Sequence, residues 1–240
     1  MHNASSISYH GQVRLSESHK CREQDRHAGL ERDDIFHNMF APSALALAQD
    51  YLDEEARILD SCLAMLPAGQ FSRLVVVGGA SLWYLGYARR YAMHYTLVEP
   101  AIRHLPWHSF QAVETADRDI IIIPKVVEEV ERDEFGPGRL LFLFPFNVVN
   151  YMEIESLIER GIIDSRDGVI IACWKPTLSG QHNHTRYLAH IHNGNRTGIY
   201  RDGVTNEIAA LQGAGFVITQ LHGDVAQVTI AFGPAIRAND

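Results

Sequence analysis

Two glycines and one glutamate have types and spacing that suit them to chemistry. Gly78 and Gly79 follow the run LVVV at 74–77, and Glu99 comes about twenty residues later, after the apolar run at 95–98. A β-branched run of this length between turn signals suits a strand covered on both faces. Glycines after it let the backbone turn tightly and approach a ligand with no Cβ in the way. A helix predicted over 83–91 would aim its free N–H groups back at that turn. An acid at the carboxyl end of the next strand can accept hydrogen bonds from both hydroxyls of a ribose. Singly, glycine pairs are punctuation and an acid at a strand end is a solvated group. In this order and spacing, residues 73–100 read as one nucleoside-binding unit.

Further along, Asn147 follows the strand-like LLFLF at 140–144 and the turn residues Pro145 and Phe146. Open α/β sheets place ligands there, at the carboxyl ends of their strands. Asn147 is therefore either a turn-former or a ligand contact. Tyr151, at the start of the next predicted helix, either packs that helix or offers its π-face or hydroxyl to a cation. His182 and His184 are two apart, as are His190 and His192. In extended backbone each pair would share a face. Metal binding would need a carboxylate close by to complete the ligand set, and only Asp202 and Glu207 lie downstream, so no metal is expected. Solvated histidines, or a general base from His182 or His184, are the remaining readings. Arg186 and Tyr187 equally suit a substrate carboxylate. Trp83 and Trp174 read as core residues.

The elements that must position these residues follow from periodicity. Residues 43–65 form a helix with Leu45, Leu52, Ala56, Leu59 and Leu63 on one face and Asp50, Asp53, Glu54 and Arg57 on the other. Ser43 is its expected N-cap, and Pro67-Ala68-Gly69 its stop. Strands are expected at 120–123, 140–144 and 169–173, with helices in the acidic stretch 126–135, at 153–160 with Gly161 as C-cap, and at 207–212. The histidine-rich stretch 177–205 reads as a long irregular loop or partial lid. Strands at 216–221 and 225–232, joined at His222-Gly223-Asp224, form a terminal hairpin. Strands alternating with helices imply a mainly parallel sheet with an antiparallel edge element.

Composition narrows the classes. A chain of 240 residues, 46% hydrophobic, suits one α/β domain. Residues 1–42 are polar and form either a mobile arm or a lid over a substrate; residues 43–240 form the catalytic domain. The net charge of −8 and pI near 5.9 argue against a nucleic-acid face. No apolar run approaches the roughly 20 residues of a membrane span. Cys21, Cys62 and Cys173 match no C-x-x-C pattern, which favours the cytoplasm.

With these elements in order, the chain resembles the class I S-adenosylmethionine-dependent methyltransferases. The resemblance rests on LVVVGGAS (74–81), YTLVEP (95–100), LLFLFPFNVVNY (140–151), GVIIACWKP (168–176) and the closing hairpin. It covers 71–234 and implies a Rossmann-like three-layer sandwich, with a mainly parallel seven-stranded sheet and an antiparallel C-terminal hairpin. It implies S-adenosylmethionine as cofactor, with Gly78, Gly79 and Ala80 at its methionine part and Glu99 on its ribose. Pro124 and Lys125 would flank the adenine, while Phe146 and Asn147 would face the methionine end and substrate. The family's usual turn is acid-x-Gly-x-Gly-x-Gly, whereas this chain has Val75-Val76-Val77-Gly78-Gly79-Ala80-Ser81. The leading acid is missing, so the cofactor's ammonium needs another acceptor: backbone carbonyls or Asn147.

The activity implied is methyl transfer to a small molecule, of specialised metabolism, by a protein that touches neither nucleic acid nor membrane and is open to forming a homodimer. Two alternatives share the fold. One attacks the aminocarboxypropyl arm of the cofactor, by transfer or by cyclisation to an azetidine, and releases methylthioadenosine. The other is a non-catalytic nucleotide-binding protein. A nicotinamide-dependent dehydrogenase would share the 73–100 unit, but it fits the PFN turn and the hairpin less well.

Overall fold

The computed structural model describes residues 41–79, 82–100, 120–191 and 204–234, with only the backbone of Tyr151. The expected arm at 1–42 therefore falls almost entirely outside the described residues, as do Ala80, Ser81 and His192. Helix α1 (Pro42–Ala64) leads into strand β1 (Arg73–Val77), α2 (Leu85–Arg90), β2 (His94–Val98) and β3 (Ile120–Ile123). Then come β4 (Leu140–Phe144), α3 (Ile154–Glu159), β5 (Gly168–Trp174), α4 (Leu178–Ile191), α5 (Val204–Gly213), β6 (Val217–His222) and β7 (Ala226–Phe232).

The seven strands form one sheet in the order β3-β2-β1-β4-β5-β7-β6. The first five run parallel, while β7 is antiparallel to both β5 and β6. Side-chain alternation explains the layers. Leu74 and Val76 of β1 join one core with α1, α2 and α4. Val75 and Val77 join the other with α3 and α5. This is the expected three-layer α/β sandwich, with the order reversing between β1 and β4.

Four local expectations are corrected. The cap of α1 is Ala41, with Pro42 in the first helical turn; Ser43 lies inside, its Oγ 2.9 Å from His190 Nε2. Proline suits that position because the N–H it lacks would have no helical partner there. The buried stripe of α1 runs Ala44, Ala48, Tyr51, Glu55, Ile58, Leu59, Cys62 and Leu63, whereas Leu45 is exposed. The acidic stretch 126–135 is two 3₁₀ turns, Val127–Glu129 and Arg132–Phe135, because the fully buried Val130 between them needs extended backbone to reach the core. Residues 178–191 form α4 rather than an irregular loop. Thr177 opens that helix, its Oγ1 accepting from Gly180 N–H at 3.2 Å.

Candidate functional site

The carboxyl ends of β1, β2, β4 and β5 lie side by side, which is where a sheet whose order reverses between β1 and β4 leaves a crevice. At the end of β1, Gly78 has φ +68° and donates its N–H to Val98 O at 2.8 Å. A Cβ on Gly78 would lie 2.3 Å from Val148 Cγ2, and one on Gly79 would lie 2.6 Å from Val76 Cγ1 and 3.3 Å from the Tyr84 ring. The glycines therefore let the segment after β4 and Tyr84 close down on the turn. At the end of β2, Glu99 is buried and its N–H donates to Ile123 O at 3.0 Å.

The segment after β4 carries the strain. Phe146 (φ +48°) and Asn147 (φ +65°) are successive left-handed residues without being glycine, a conformation that costs of order 1 kcal/mol each. Asn147 repays part of that cost. Its N–H donates to Ala172 O at 2.9 Å, and its Oδ1 accepts from Trp174 N–H at 3.0 Å, tying β4 to β5. The same bond orients the amide, leaving Nδ2 buried with no partner among the described residues. A buried amide N–H₂ of this kind costs free energy unless something accepts from it.

Above this segment lies a carboxylate that the sequence reading passed over. Glu55 of α1 is 2% exposed. It accepts the Tyr84 hydroxyl at 2.6 Å and the Phe146 N–H at 3.2 Å. Burial pushes its carboxyl above the usual range, and hydrogen bonding from Tyr51, Tyr84 and Phe146 N–H offsets part of that. The Tyr51 hydroxyl interacts with it electrostatically without forming a hydrogen bond of good geometry. Burial, then the Glu55 charge, also holds Tyr51 and Tyr84 protonated far above neutral pH. Rings surround the acid. Phe146 meets Tyr51 and Tyr187 edge-on, each at 5.1 Å, and Trp174 lies 4.4 Å from Tyr51.

The histidines separate. On a helix, residues two apart point to nearly opposite sides, so the shared-face reading of His182 and His184 is corrected. His184 is buried and stacked 5.6 Å from Trp174, whereas His182 is exposed. Tyr187 is buried against Phe146, and Arg186 faces outward. Trp174 is core, as expected, but Trp83 is 67% exposed. Pro124 is exposed, and Lys125 Nζ is bound to both carboxylate oxygens of Glu134 at 3.0 and 2.7 Å. Tyr151 ends a 3₁₀ turn, Val148–Tyr151, instead of opening α3; its side chain lies outside the described residues. Asn147 was one expected ammonium acceptor, beside backbone carbonyls; its oxygen accepts from Trp174 N–H, and its nitrogen, without a partner among the described residues, is a donor.

The sequence carries a signal for the burial of Glu55 but none for its partners. It lies four residues after Tyr51 and four before Leu59, in register with the buried stripe of α1. An open groove of about 440 Å³ between Arg132, Gly138 and Arg166 lies at the amino ends of β4 and β5. Its charged walls are engaged in ion pairs, and it is remote from the carboxyl-end residues.

No family model matches the chain, and none of the curated protein sequences matches it significantly. Solved structures do. An O-methyltransferase family protein from Burkholderia thailandensis superposes at TM-score 0.53 and 11% identity, over 95% of this chain and 64% of that one. The chain thus spans under two thirds of that relative. A SAM-dependent methyltransferase from Aquifex aeolicus gives TM-score 0.52 and 12% identity, over 83% and 97% of the two chains. Magnesium protoporphyrin IX methyltransferase from Synechocystis PCC 6803, solved with S-adenosylhomocysteine, gives 0.50 and 12% over 83% and 99%. The fold is that of the class I S-adenosylmethionine-dependent methyltransferases.

Proposed function

We propose that the protein is an S-adenosylmethionine-dependent methyltransferase acting on a small molecule. The observation that carries this reading is the carboxyl edge of the sheet. There Glu99 is buried at the end of β2, and across β1 the strained segment after β4 holds Asn147, whose buried amide donor has no partner among the described residues. The residues present fit an adenosylmethionine. Glu99 would hold the ribose hydroxyls, the backbone at Gly78 and Gly79 would bound the amino-acid arm, and Asn147 Nδ2 would donate toward its carboxylate or toward the substrate. When bound, S-adenosylmethionine supplies an electrophilic methyl carbon on a sulfonium, so the protein need not provide a covalent catalyst. Its contribution is alignment of the nucleophile and exclusion of water, which can supply several kcal/mol of the barrier. The ring of Phe146, seated among Tyr51, Trp174 and Tyr187, forms a rigid apolar wall for that purpose.

One observation favours a second reaction on the same cofactor. Where the family carries its acid, this chain has the buried run Val75-Val76-Val77, so the amino-acid arm would be held differently. That would suit transfer or cyclisation of the arm. Incubation with S-adenosylmethionine and candidate acceptors, followed by mass spectrometry, separates the cases. S-adenosylhomocysteine marks methyl transfer and methylthioadenosine marks arm chemistry. If the purified protein neither binds nor turns over the cofactor, both are wrong.

A further inference from the structure

Two of the buried acids, Glu55 and Asp167, are treated differently by the fold. Asp167 is fully buried, but Arg132 neutralises it through two bonds of 2.6 and 2.9 Å. Glu55 is as deeply buried, yet its partners are the Tyr84 hydroxyl, the Phe146 N–H and the nearby Tyr51. No cation faces it among the described residues. A buried carboxylate without a counter-ion is costly while charged, so it either stays protonated or takes up a cation.

Its position says which part of a ligand. Tyr84, bonded to Glu55, presses its ring on Gly79, and Phe146, the other donor, precedes Asn147. Val76, from the valine run that lacks the family's acid, packs against the same glycine. Glu55 is thus linked to the glycine turn through the Tyr84 side chain, while Asn147, next to Phe146, offers a buried donor.

We propose that Glu55 is a cofactor-binding residue that receives the ammonium group of the cofactor's amino-acid arm, in place of the acid missing from β1. This rests on the cofactor reading above. Glu55 would take the ammonium, and Asn147 Nδ2 would face the arm's carboxylate. Charge and donor complementarity would then be complete without an acid on β1.

Calorimetry with two ligands tests it. S-adenosylhomocysteine carries the ammonium, whereas methylthioadenosine has the same nucleoside and sulfur without the arm's charges. Glu55→Gln should weaken S-adenosylhomocysteine at least about tenfold, the loss of one charge-assisted contact, and leave methylthioadenosine unchanged. Equal weakening of both ligands, or of neither, overturns the assignment. If the wild-type protein binds neither, the cofactor reading itself falls.

A second arm needs no substitution. Among the described residues, the titratable groups coupled to Glu55 are Tyr51 on its own helix and Tyr84 and Tyr87 from the α2 side. As pH falls through the raised titration of Glu55, affinity for S-adenosylhomocysteine should drop while that for methylthioadenosine stays level. Parallel curves contradict the proposal, since protonation of the surrounding groups would act on both ligands.

Discussion

The two ends of the sheet solve the same problem in opposite ways. At the amino ends of β4 and β5, Asp167 accepts four hydrogen bonds: two from Arg132, one from Leu140 N–H at 3.0 Å and one from Asp164 N–H at 2.9 Å. Nearby, Arg73 is buried and donates to Tyr95 O at 2.9 Å and Thr96 Oγ1 at 3.1 Å. At the carboxyl ends, two non-glycine residues sit at positive φ, and among the described residues an amide donor lacks a partner and a carboxylate buried among rings has no counter-ion. The fold neutralises a buried carboxylate at one edge and, among the described residues, leaves one without a counter-ion at the other. Such departures gather where a ligand completes the structure.

Substitutions at the two ends should therefore separate stability from binding. Asp167→Asn removes a fully desolvated charge partner of Arg132 and should lower unfolding free energy by about 3 kcal/mol. Cofactor affinity at a temperature where the variant is folded should not change; chemical denaturation and calorimetry read the two effects. Asn147→Gly is the reverse case. It relieves the left-handed strain while stranding Trp174 N–H, so stability should move by less than about 1 kcal/mol as cofactor affinity falls roughly tenfold.

Adjacent glutamates on α1 sharpen the contrast through pH. Burial raises the carboxyl of Glu54, but backbone N–H donors from Ala226, Val225 and Asp224 outweigh it and leave the group below its ordinary value. Its stabilisation is therefore present above the unfolded-state value of about 4.3 and is lost as pH falls through the lowered one. Glu54→Gln should cost about 1 kcal/mol at neutral pH and remove that acid-side loss. Glu55 has the opposite sign. Its folded value is raised by burial, so its contribution is greatest below the unfolded value and is lost as pH rises through the raised one. Glu55→Gln should flatten that decline, read from unfolding midpoints across pH. The smallest effect is expected for Arg166→Ala. It removes a solvent-facing pair with Asp164, and the midpoint should stay unchanged because exposed pairs contribute little.

The sheet was legible because its strands announce themselves. The runs at 74–77, 120–123, 140–144 and 169–173 are apolar throughout, as strands buried on both faces must be. The turn after β4 was legible as a turn from Pro145-Phe146-Asn147, although its positive φ angles were not. What stayed hidden depends on tertiary partners. Helix α4 buries Gly180, His184, Tyr187 and Ile191 at helical spacing, but a glycine and a histidine do not register as an apolar stripe. Glu55 follows the same logic. An acid in a helix reads as solvated until Tyr84 and Phe146, distant in sequence, are folded against it.

The most direct measurement is titration of S-adenosylhomocysteine into the wild-type protein and into Glu99→Gln, with Asp167→Asn as the control from the opposite edge. If the carboxyl edge is the cofactor site, wild type and Asp167→Asn bind alike and Glu99→Gln binds at least about tenfold more weakly, as expected for loss of hydrogen bonds to a charged group. Undiminished binding by Glu99→Gln, or no binding by the wild-type protein, would contradict it.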